Sequence, residues 1–240
     1  MAGVRYHHFE SVGSTQDYAR SLLDKGEATP FLVTASEQTQ GHGRLGRIWI
    51  SPRGNFFGSF VMRPAVEPAR YSEYSFLTAV VLAGTILKFA KADVTLKWPN
   101  DVLLNERKCA GILIESHGLQ NEFLIIGMGV NLRHAPPDGD VRTPAAALWP
   151  DATVHPAADQ KFKLALMKNF ENWHARYQAE GFEIVRNEWL AYAHHLNLPI
   201  TVQTPTEALA GIFAGIDTHG NLLLTQGLAT RKVTTADVAV

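Results

Sequence analysis

Short runs rich in apolar residues recur at positions 31–35, 56–62, 102–104, 109–115 and 123–131, with more polar runs of similar length at 5–9 and 94–97. Each has the length of a strand, and turn-forming or polar residues separate them. Between them the apolar spacing changes to helical. Ser14 precedes Tyr18, Leu22 and Leu23, with Gly26 as the stop, so a capped helix is expected there. Positions 71–89 carry Phe76, Leu77, Val80, Val81, Leu82, Ile86 and Leu87, a pattern apolar on most sides that predicts a deeply buried helix. Phe162, Leu166, Phe170, Trp173 and Tyr177 mark one face of another helix, and a further helix is expected over about 182–192. The stretch 136–156 is rich in proline and alanine and reads as irregular. From Pro199 onward the pattern reverts to short strands at 200–203, 209–216, 222–224 and 229–233, with a turn at Asp217-Thr-His-Gly-Asn221. The pattern reads as an α/β body carrying a small β-barrel-like module from Pro199 onward.

Polar residues interrupt this pattern in a few places. The segment Gln38-Thr-Gln-Gly-His-Gly-Arg-Leu-Gly-Arg-Ile-Trp49 is too glycine-rich for a helix interior and too polar for a core strand. Gly41, Gly43 and Gly46 allow the backbone to expose N–H groups to a ligand, while Arg44 and Arg47 can grip phosphate or carboxylate through forked hydrogen bonds. It reads as a mobile anion-binding loop. Further polar clusters are Ser14-Thr15-Gln16, the run Lys97-Trp-Pro-Asn-Asp101 with 108–115, and Gly127-Met-Gly-Val-Asn131. Taken singly, each has a plain reading. Ser14 can simply cap a helix, Trp98-Pro99 can pack a bend, Gly127 and Gly129 can relieve crowding, and Lys108 can be a solvated turn residue between the strands of a hairpin. The Walker-type Gly-Lys-Ser/Thr ending is absent, and the glycine spacing does not match a dinucleotide fingerprint.

Composition narrows the classes. The chain has 240 residues, 46% of them hydrophobic and 19% charged, which is ordinary for a globular protein with one large domain or a large and a small one. With 22 lysines and arginines against 23 acids, the formal net charge of -1 argues against a general nucleic-acid coat. Cys109 is the single cysteine, so no internal disulfide framework forms, and a reducing cytoplasm is the expected location. No apolar run is long enough to span a bilayer. The ten histidines lack zinc-type spacing, so no metal site is expected.

Together the polar clusters are more specific than any one of them. Gln38 to Trp49 resembles the glycine-arginine loop of the biotin protein ligases. The run Lys97-Trp-Pro-Asn-Asp-Val102 followed by Arg107-Lys-Cys-Ala-Gly-Ile-Leu-Ile-Glu115 is the more diagnostic match, and Gly127-Met-Gly-Val-Asn-Leu132 resembles the family's next strand. The order and spacing agree across roughly 11–131. The resemblance implies an α+β protein: a class II synthetase-like catalytic domain over 1–192, with a mixed β-sheet packed against helices, and a small C-terminal SH3-like barrel over 193–240. It also implies a reaction in two steps. Biotin and ATP, with magnesium as the nucleotide's complex and no tightly bound cofactor, give biotinyl-5′-AMP and pyrophosphate. The adenylate then acylates one lysine of a biotin carboxyl carrier protein domain, in acetyl-CoA carboxylase or another biotin-dependent carboxylase.

The roles carried over with the resemblance are as follows. Ser14, Thr15, Gln16 and Gln38 match contacts to the biotin head group, whose ureido ring offers a carbonyl acceptor and N–H donors. Gly41, His42, Gly43 and Arg44 of the loop are placed against biotin, with Gly111, Gly127 and Gly129 letting backbone approach. Lys108 bridges the biotin carboxylate and the α-phosphate, and losing such a donor costs about 10²–10³ in rate. His42, Arg44, Arg47, Trp49, Asn100 and Asn131 match the adenylate side, and Asp101 orients or deprotonates the incoming lysine. His42 departs from the arginine or lysine that relatives commonly have there. An imidazole changes its charge near neutral pH, so pH sensitivity of the first step is expected.

The catalytic pattern begins within the first fifteen residues, so a short form without a DNA-binding domain is expected, as monomer or homodimer. A lipoate or octanoate ligase or transferase of the same superfamily, and a non-catalytic biotin-binding regulator, are the competing readings.

Overall fold

The computed structural model describes residues 3–139, 141, 143–150 and 157–239. A seven-stranded sheet forms the body, built from β1 (Arg5–Phe9), β2 (Phe31–Ala35), β3 (Phe56–Met62), β4 (Val94–Lys97), β5 (Asp101–Leu104), β6 (Arg107–His117) and β7 (Phe123–Val130) in the order β1-β2-β3-β7-β6-β5-β4. The β1–β2 pair is parallel and the remaining neighbours are antiparallel, so the sheet is mixed as expected.

The two faces of the sheet differ, and that difference creates the site. On one face Leu32, Phe60, Ile126, Met128 and Ile112 share one core with α2 (Glu73–Ile86), the helix whose sequence is apolar on most sides. Its residues are almost all buried because α3 (Ala157–Glu180) and α4 (Phe182–Ala191) cover it from behind. The face of α3 carrying Phe162, Leu166, Phe170 and Tyr177 is buried as the spacing implied. On the other face Phe31, Val33, Val61 and Ile125 meet α1 (Thr15–Asp24), whose N-cap Ser14 accepts from the N–H groups of Gln16 and Asp17. Farther along the same face the residues become Ser59, Gly127, Gly129 and Gly111. Ser59 is opposite Gly127, and Gly129 is opposite Gly111. Side chains at i and i+2 of a strand share a face, so this half of the sheet lacks the bulk that would anchor a helix and stays open as a floor.

The C-terminal module is an antiparallel sheet of β8 (Pro199–Gln203), β9 (Ala208–Ile216), β10 (Leu222–Gln226), β11 (Ala229–Val233) and β12 (Asp237–Ala239), in the order β11-β10-β9-β8-β12. Its strand pairing runs open from β11 to β12, so the expected barrel is not closed by hydrogen bonds. The last strand had no apolar run to announce it. The module is tied to the body by Trp98 Nε1 donating to Gly220 O at 2.9 Å, by Arg186 Nε donating to Ile216 O at 2.8 Å, and by edge-on packing of Trp189 against Phe76 and Phe213.

One hairpin is tighter than the sequence suggested. Asn105 and Glu106 alone make the turn, both at positive φ (48° and 63°), as a type I′ hairpin turn requires. Lys108 therefore lies within β6 and not in a solvated turn. In the irregular stretch, positions 140, 142 and 151–156 lie outside the described residues. Within it, Lys108 N donates to Pro144 O and Ala146 N to Lys108 O, so this stretch runs along the start of β6.

Candidate active site

A cleft of about 1140 Å³ opens over the glycine floor, between the 38–49 loop, the start of β6 and the C-terminal sheet. Ser14, Thr15, Gln16, Gln38, His42, Gly43, Arg44, Arg47, Trp49, Asn100, Asp101, Lys108, Gly111, Gly127, Gly129 and Asn131 all line it. Gly41 is the exception. It is buried behind the loop, where a Cβ would stand 2.4 Å from Ser51 Oγ and 2.5 Å from Trp49 O, so it serves the loop's own turn and not the cleft surface.

The inner end of the cleft is a closed polar circuit. Gln38 Oε1 accepts from Thr15 N at 2.8 Å and from Thr15 Oγ1 at 3.0 Å, and Gln38 Nε2 donates to Ser51 Oγ at 3.0 Å. Ser59 Oγ lies 2.9 Å from both Thr15 Oγ1 and Gln16 Oε1, and Gln16 Nε2 donates to Ile125 O at 3.3 Å. Ser59 is completely buried and belongs to none of the polar clusters of the sequence. The available signal was a hydroxyl in the middle of the apolar run Phe-Phe-Gly-Ser-Phe-Val-Met, since buried polar groups need partners.

The middle of the cleft is held by Trp49. A Cβ on Gly129 would come within 2.5 Å of its indole and one on Gly111 within 2.9 Å, so these glycines exist here to admit the ring. Gly127 makes room for Gln16 Oε1 in the same way, at 2.7 Å. Trp49 Nε1 is buried with no hydrogen-bond partner among the described residues, and Lys108 Nζ stands 5.3 Å from the ring centroid.

The outer end is charged. Lys108 Nζ is 2.7 Å from Asp101 Oδ1, and both side chains are largely buried. Arg44 Nη1 donates to Asn100 Oδ1 at 3.2 Å, and Asn100 Nδ2 donates to Ile112 O at 2.7 Å. Burial pulls the Arg44 guanidinium below its ordinary value, with Arg47 adding to the shift and Asp237 and Asp101 opposing it. An arginine stays charged through such a shift, so the burial raises the gain from an incoming anion. Arg47 Nη2 donates to Asp237 Oδ1 on β12 at 2.8 Å. The loop is thus not an open flap. It folds as a small hairpin, with Gly43 N donating to Arg47 O and Trp49 N to Gly41 O, and it reaches both the body and the C-terminal sheet. His42 faces α1, with its Nδ1 3.8 Å from Asp17 Oδ2. Asn131 Nδ2 donates to Lys108 O at 3.5 Å, a long contact that supports the lysine's strand. Asp237, Gln203, His194, His195 and Lys97 also border the cleft, although no motif had given them a role.

The model of the "Biotin/lipoate A/B protein ligase family" matches residues 8–132, and that of the "Biotin protein ligase C terminal domain" matches residues 195–240. A biotin–[acetyl-CoA-carboxylase] ligase of Paracoccus denitrificans is 41% identical over 208 residues, covering 84% of this chain and 86% of the relative. The chain belongs to the biotin protein ligases. The bifunctional ligase/repressor BirA of Bacillus subtilis strain 168 is 30% identical to this ligase, over 99% of this chain and 74% of its own. Among solved structures, the biotin protein ligase of Aquifex aeolicus in complex with biotin and ATP superimposes with a TM-score of 0.83, covering 98% of this chain and 97% of that one at 20% identity. The ligase therefore shares that fold. In the ligase the motifs named above form one continuous wall around the cleft, although they come from separate parts of the chain.

Proposed function

We propose that the ligase activates biotin with ATP to biotinyl-5′-AMP and passes the biotinyl group to a lysine of a biotin carboxyl carrier domain. The observation that carries the reading is the polarity of this cleft: a compact donor-and-acceptor circuit at one end, and Lys108, Arg44 and Arg47 at the other. A ureido ring can exchange hydrogen bonds with Thr15, Gln16, Gln38 and Ser59. The biotin tail then runs over the glycine floor beside Trp49, and its carboxylate arrives at Lys108.

In the first step a carboxylate oxygen of biotin attacks the α-phosphorus of ATP, the bond to the β-phosphate bridging oxygen breaks, and pyrophosphate leaves. Two anions must meet, and Lys108 offsets their repulsion, leaving Asp101 to follow the charge that develops on the α-phosphate. Arg44 and Arg47 close over the adenylate, while Asn100 and Asn131 keep their supports in place. In the second step the acceptor amine attacks the acyl carbon, the bond to AMP breaks, and the amine's proton goes to Asp101. That carboxylate becomes available once Lys108 has turned to phosphate. Magnesium enters with the nucleotide, whose phosphates supply its oxygen ligands. Residues 1–192 act as the catalytic domain and 193–240 as a second domain that borders the cleft. No helix among the described residues is long and apolar enough to cross a membrane, and we place the enzyme in the cytoplasm, as monomer or homodimer.

A lipoyl or octanoyl chain offers no hydrogen-bonding ring to the polar circuit and would leave buried donors and acceptors facing an apolar end. The test is ATP–pyrophosphate exchange with each acid supplied separately. Exchange with biotin, at least about 100-fold above lipoate or octanoate, is expected from the cost of unpaired polar groups. Equal or preferred exchange with lipoate would refute the assignment, and binding of biotin without exchange would favour a regulator.

A further inference from the structure

A residue behind the cleft ties its polar end to the loop. Ser51 comes two positions after Trp49, is only 7% exposed, and is not one of the residues that line the cleft. Its hydroxyl makes two bonds whose directions are fixed. Thr15 N can only donate, so the Gln38 amide atom 2.8 Å from it is the oxygen. The amide nitrogen therefore faces Ser51 and donates to Ser51 Oγ at 3.0 Å. Trp49 O can only accept, so the single hydroxyl hydrogen of Ser51 points to it, at 2.8 Å. Two backbone groups thus set the direction of every bond from Thr15 to Trp49, and the opposite amide orientation would set donor against donor.

The hydroxyl sits in a tight junction. Gln38 N donates to Ser51 O at 3.2 Å and Trp49 N to Gly41 O at 2.9 Å, which closes the base of the loop. A Cβ at Gly41 would fall 2.4 Å from Ser51 Oγ, 2.5 Å from Trp49 O and 2.9 Å from Gln38 Nε2, so these groups converge over a position that has no side chain. For the cleft, the junction decides what Gln38 offers. Its oxygen is engaged by Thr15 N and Thr15 Oγ1, and one amide hydrogen by Ser51, which leaves one N–H for a ligand. Without the hydroxyl that amide nitrogen loses its partner, and the terminal torsion of a glutamine has broad wells that then let it turn. The Trp49 carbonyl loses its partner as well, where the loop rejoins the body.

We propose that Ser51 is a positioning residue of the ligase. It acts through Gln38, by fixing the amide that faces the ureido ring, and through Trp49, by anchoring the end of the loop that covers the adenylate. The proposal rests on the biotin-activation reading, which makes Gln38 a ligand contact. It adds a group that touches no substrate and serves both recognition and retention.

The experiment measures biotin Kd by calorimetry, and release of labelled biotinyl-5′-AMP without acceptor. The proteins are wild type, Ser51→Ala, Ser51→Thr, Gln38→Ala and the double variant of Gln38→Ala with Ser51→Ala. Ser51→Ala is expected to raise the biotin Kd about 3- to 10-fold and to speed adenylate release by a similar factor, the effect of losing one or two neutral hydrogen bonds. Ser51→Thr keeps the hydroxyl and should recover most of both. In the Gln38→Ala background, Ser51→Ala should move the biotin Kd by less than about twofold, because its route to the ligand is gone, whereas a residue that only supports the fold would add its full effect. An unchanged biotin Kd or release rate in Ser51→Ala, or additive losses in the double variant, would overturn the proposal. Biotin-dependent ATP–pyrophosphate exchange in wild type keeps the two readings apart. Its absence refutes biotin activation itself, whereas exchange in wild type together with either overturning result refutes only the role of Ser51.

Discussion

Gly129 and Trp49 illustrate how single residues set the cleft. The sequence shows a glycine inside an apolar strand, which signals close approach without saying of what. The structure supplies the answer, because the indole of Trp49 occupies the position that a side chain at 129 would need. Gly129→Ala should push the ring off the floor at a cost of about 1–3 kcal/mol, as overpacking does, and weaken biotin binding more than overall stability. Calorimetric titration with biotin, beside a denaturation curve, checks this; biotin affinity unchanged within twofold would count against the packing account. Lys108 was legible through its motif, but its setting was not. A turn was expected from Asn105 to Lys108, and the positive φ of Asn105 and Glu106 shortens it by two residues, placing the lysine on a strand facing Asp101. Ser59 offered only a hydroxyl inside an apolar run, and its partners were hidden because Thr15 and Gln16 lie more than forty residues away in sequence.

Among the elements, the 38–49 loop carries the most function and was the easiest to find. Its glycines and arginines marked it as an anion grip, but its attachment was invisible in the sequence. Asp237 sits in a three-residue strand without an apolar run, so nothing announced that Arg47 would meet it. Arg44 binds Asn100 in the ligase as described and is expected to exchange that contact for the adenylate phosphate. Arg44→Gly should speed adenylate release by about 10- to 100-fold, from a charged contact of roughly 1.5–3 kcal/mol. Release of labelled adenylate without acceptor measures it, and an unchanged rate would remove Arg44 from the clamp. A second element tests acid sensitivity. Burial acts to raise the Asp217 carboxyl, but the Asn221 amide, the backbone N–H groups of His219 and Asn221, and Lys232 outweigh it and hold the group well below the usual carboxylate range. A lowered folded value means that stability is fully present above the ordinary value of about 3.9 and is lost as pH falls through the lowered one. The C-terminal sheet should therefore loosen below about pH 4, and Asp217→Asn should flatten that loss. Far-UV dichroism against pH reads this out; identical acid profiles for the two proteins would contradict it.

At the scale of the whole molecule, the sheet has one face for folding and half of another for chemistry. The apolar pattern made the body readable, because α3 carries one apolar face, α2 is apolar nearly all round, and β2 and β3 are continuous apolar runs of strand length. The division between Val61 and Ile125 on one side and Ser59, Gly127 and Gly129 on the other appears only when the strands are in register. The join to the C-terminal sheet was equally hidden. It depends on Trp98 reaching Gly220 O across 122 positions, a contact no local pattern encodes. That join brings Gln203 and Asp237 to the rim, so the cleft is completed by both parts of the chain.

The most direct measurement mixes the ligase with labelled biotin, ATP and magnesium without acceptor, isolates the protein by gel filtration, and then adds a biotin carboxyl carrier domain. The account predicts about one equivalent of biotinyl-5′-AMP retained per chain, from a single clamped site, and its transfer to one carrier lysine with release of AMP. Label that fails to stay with the protein, or that stays and never reaches the carrier, would contradict it.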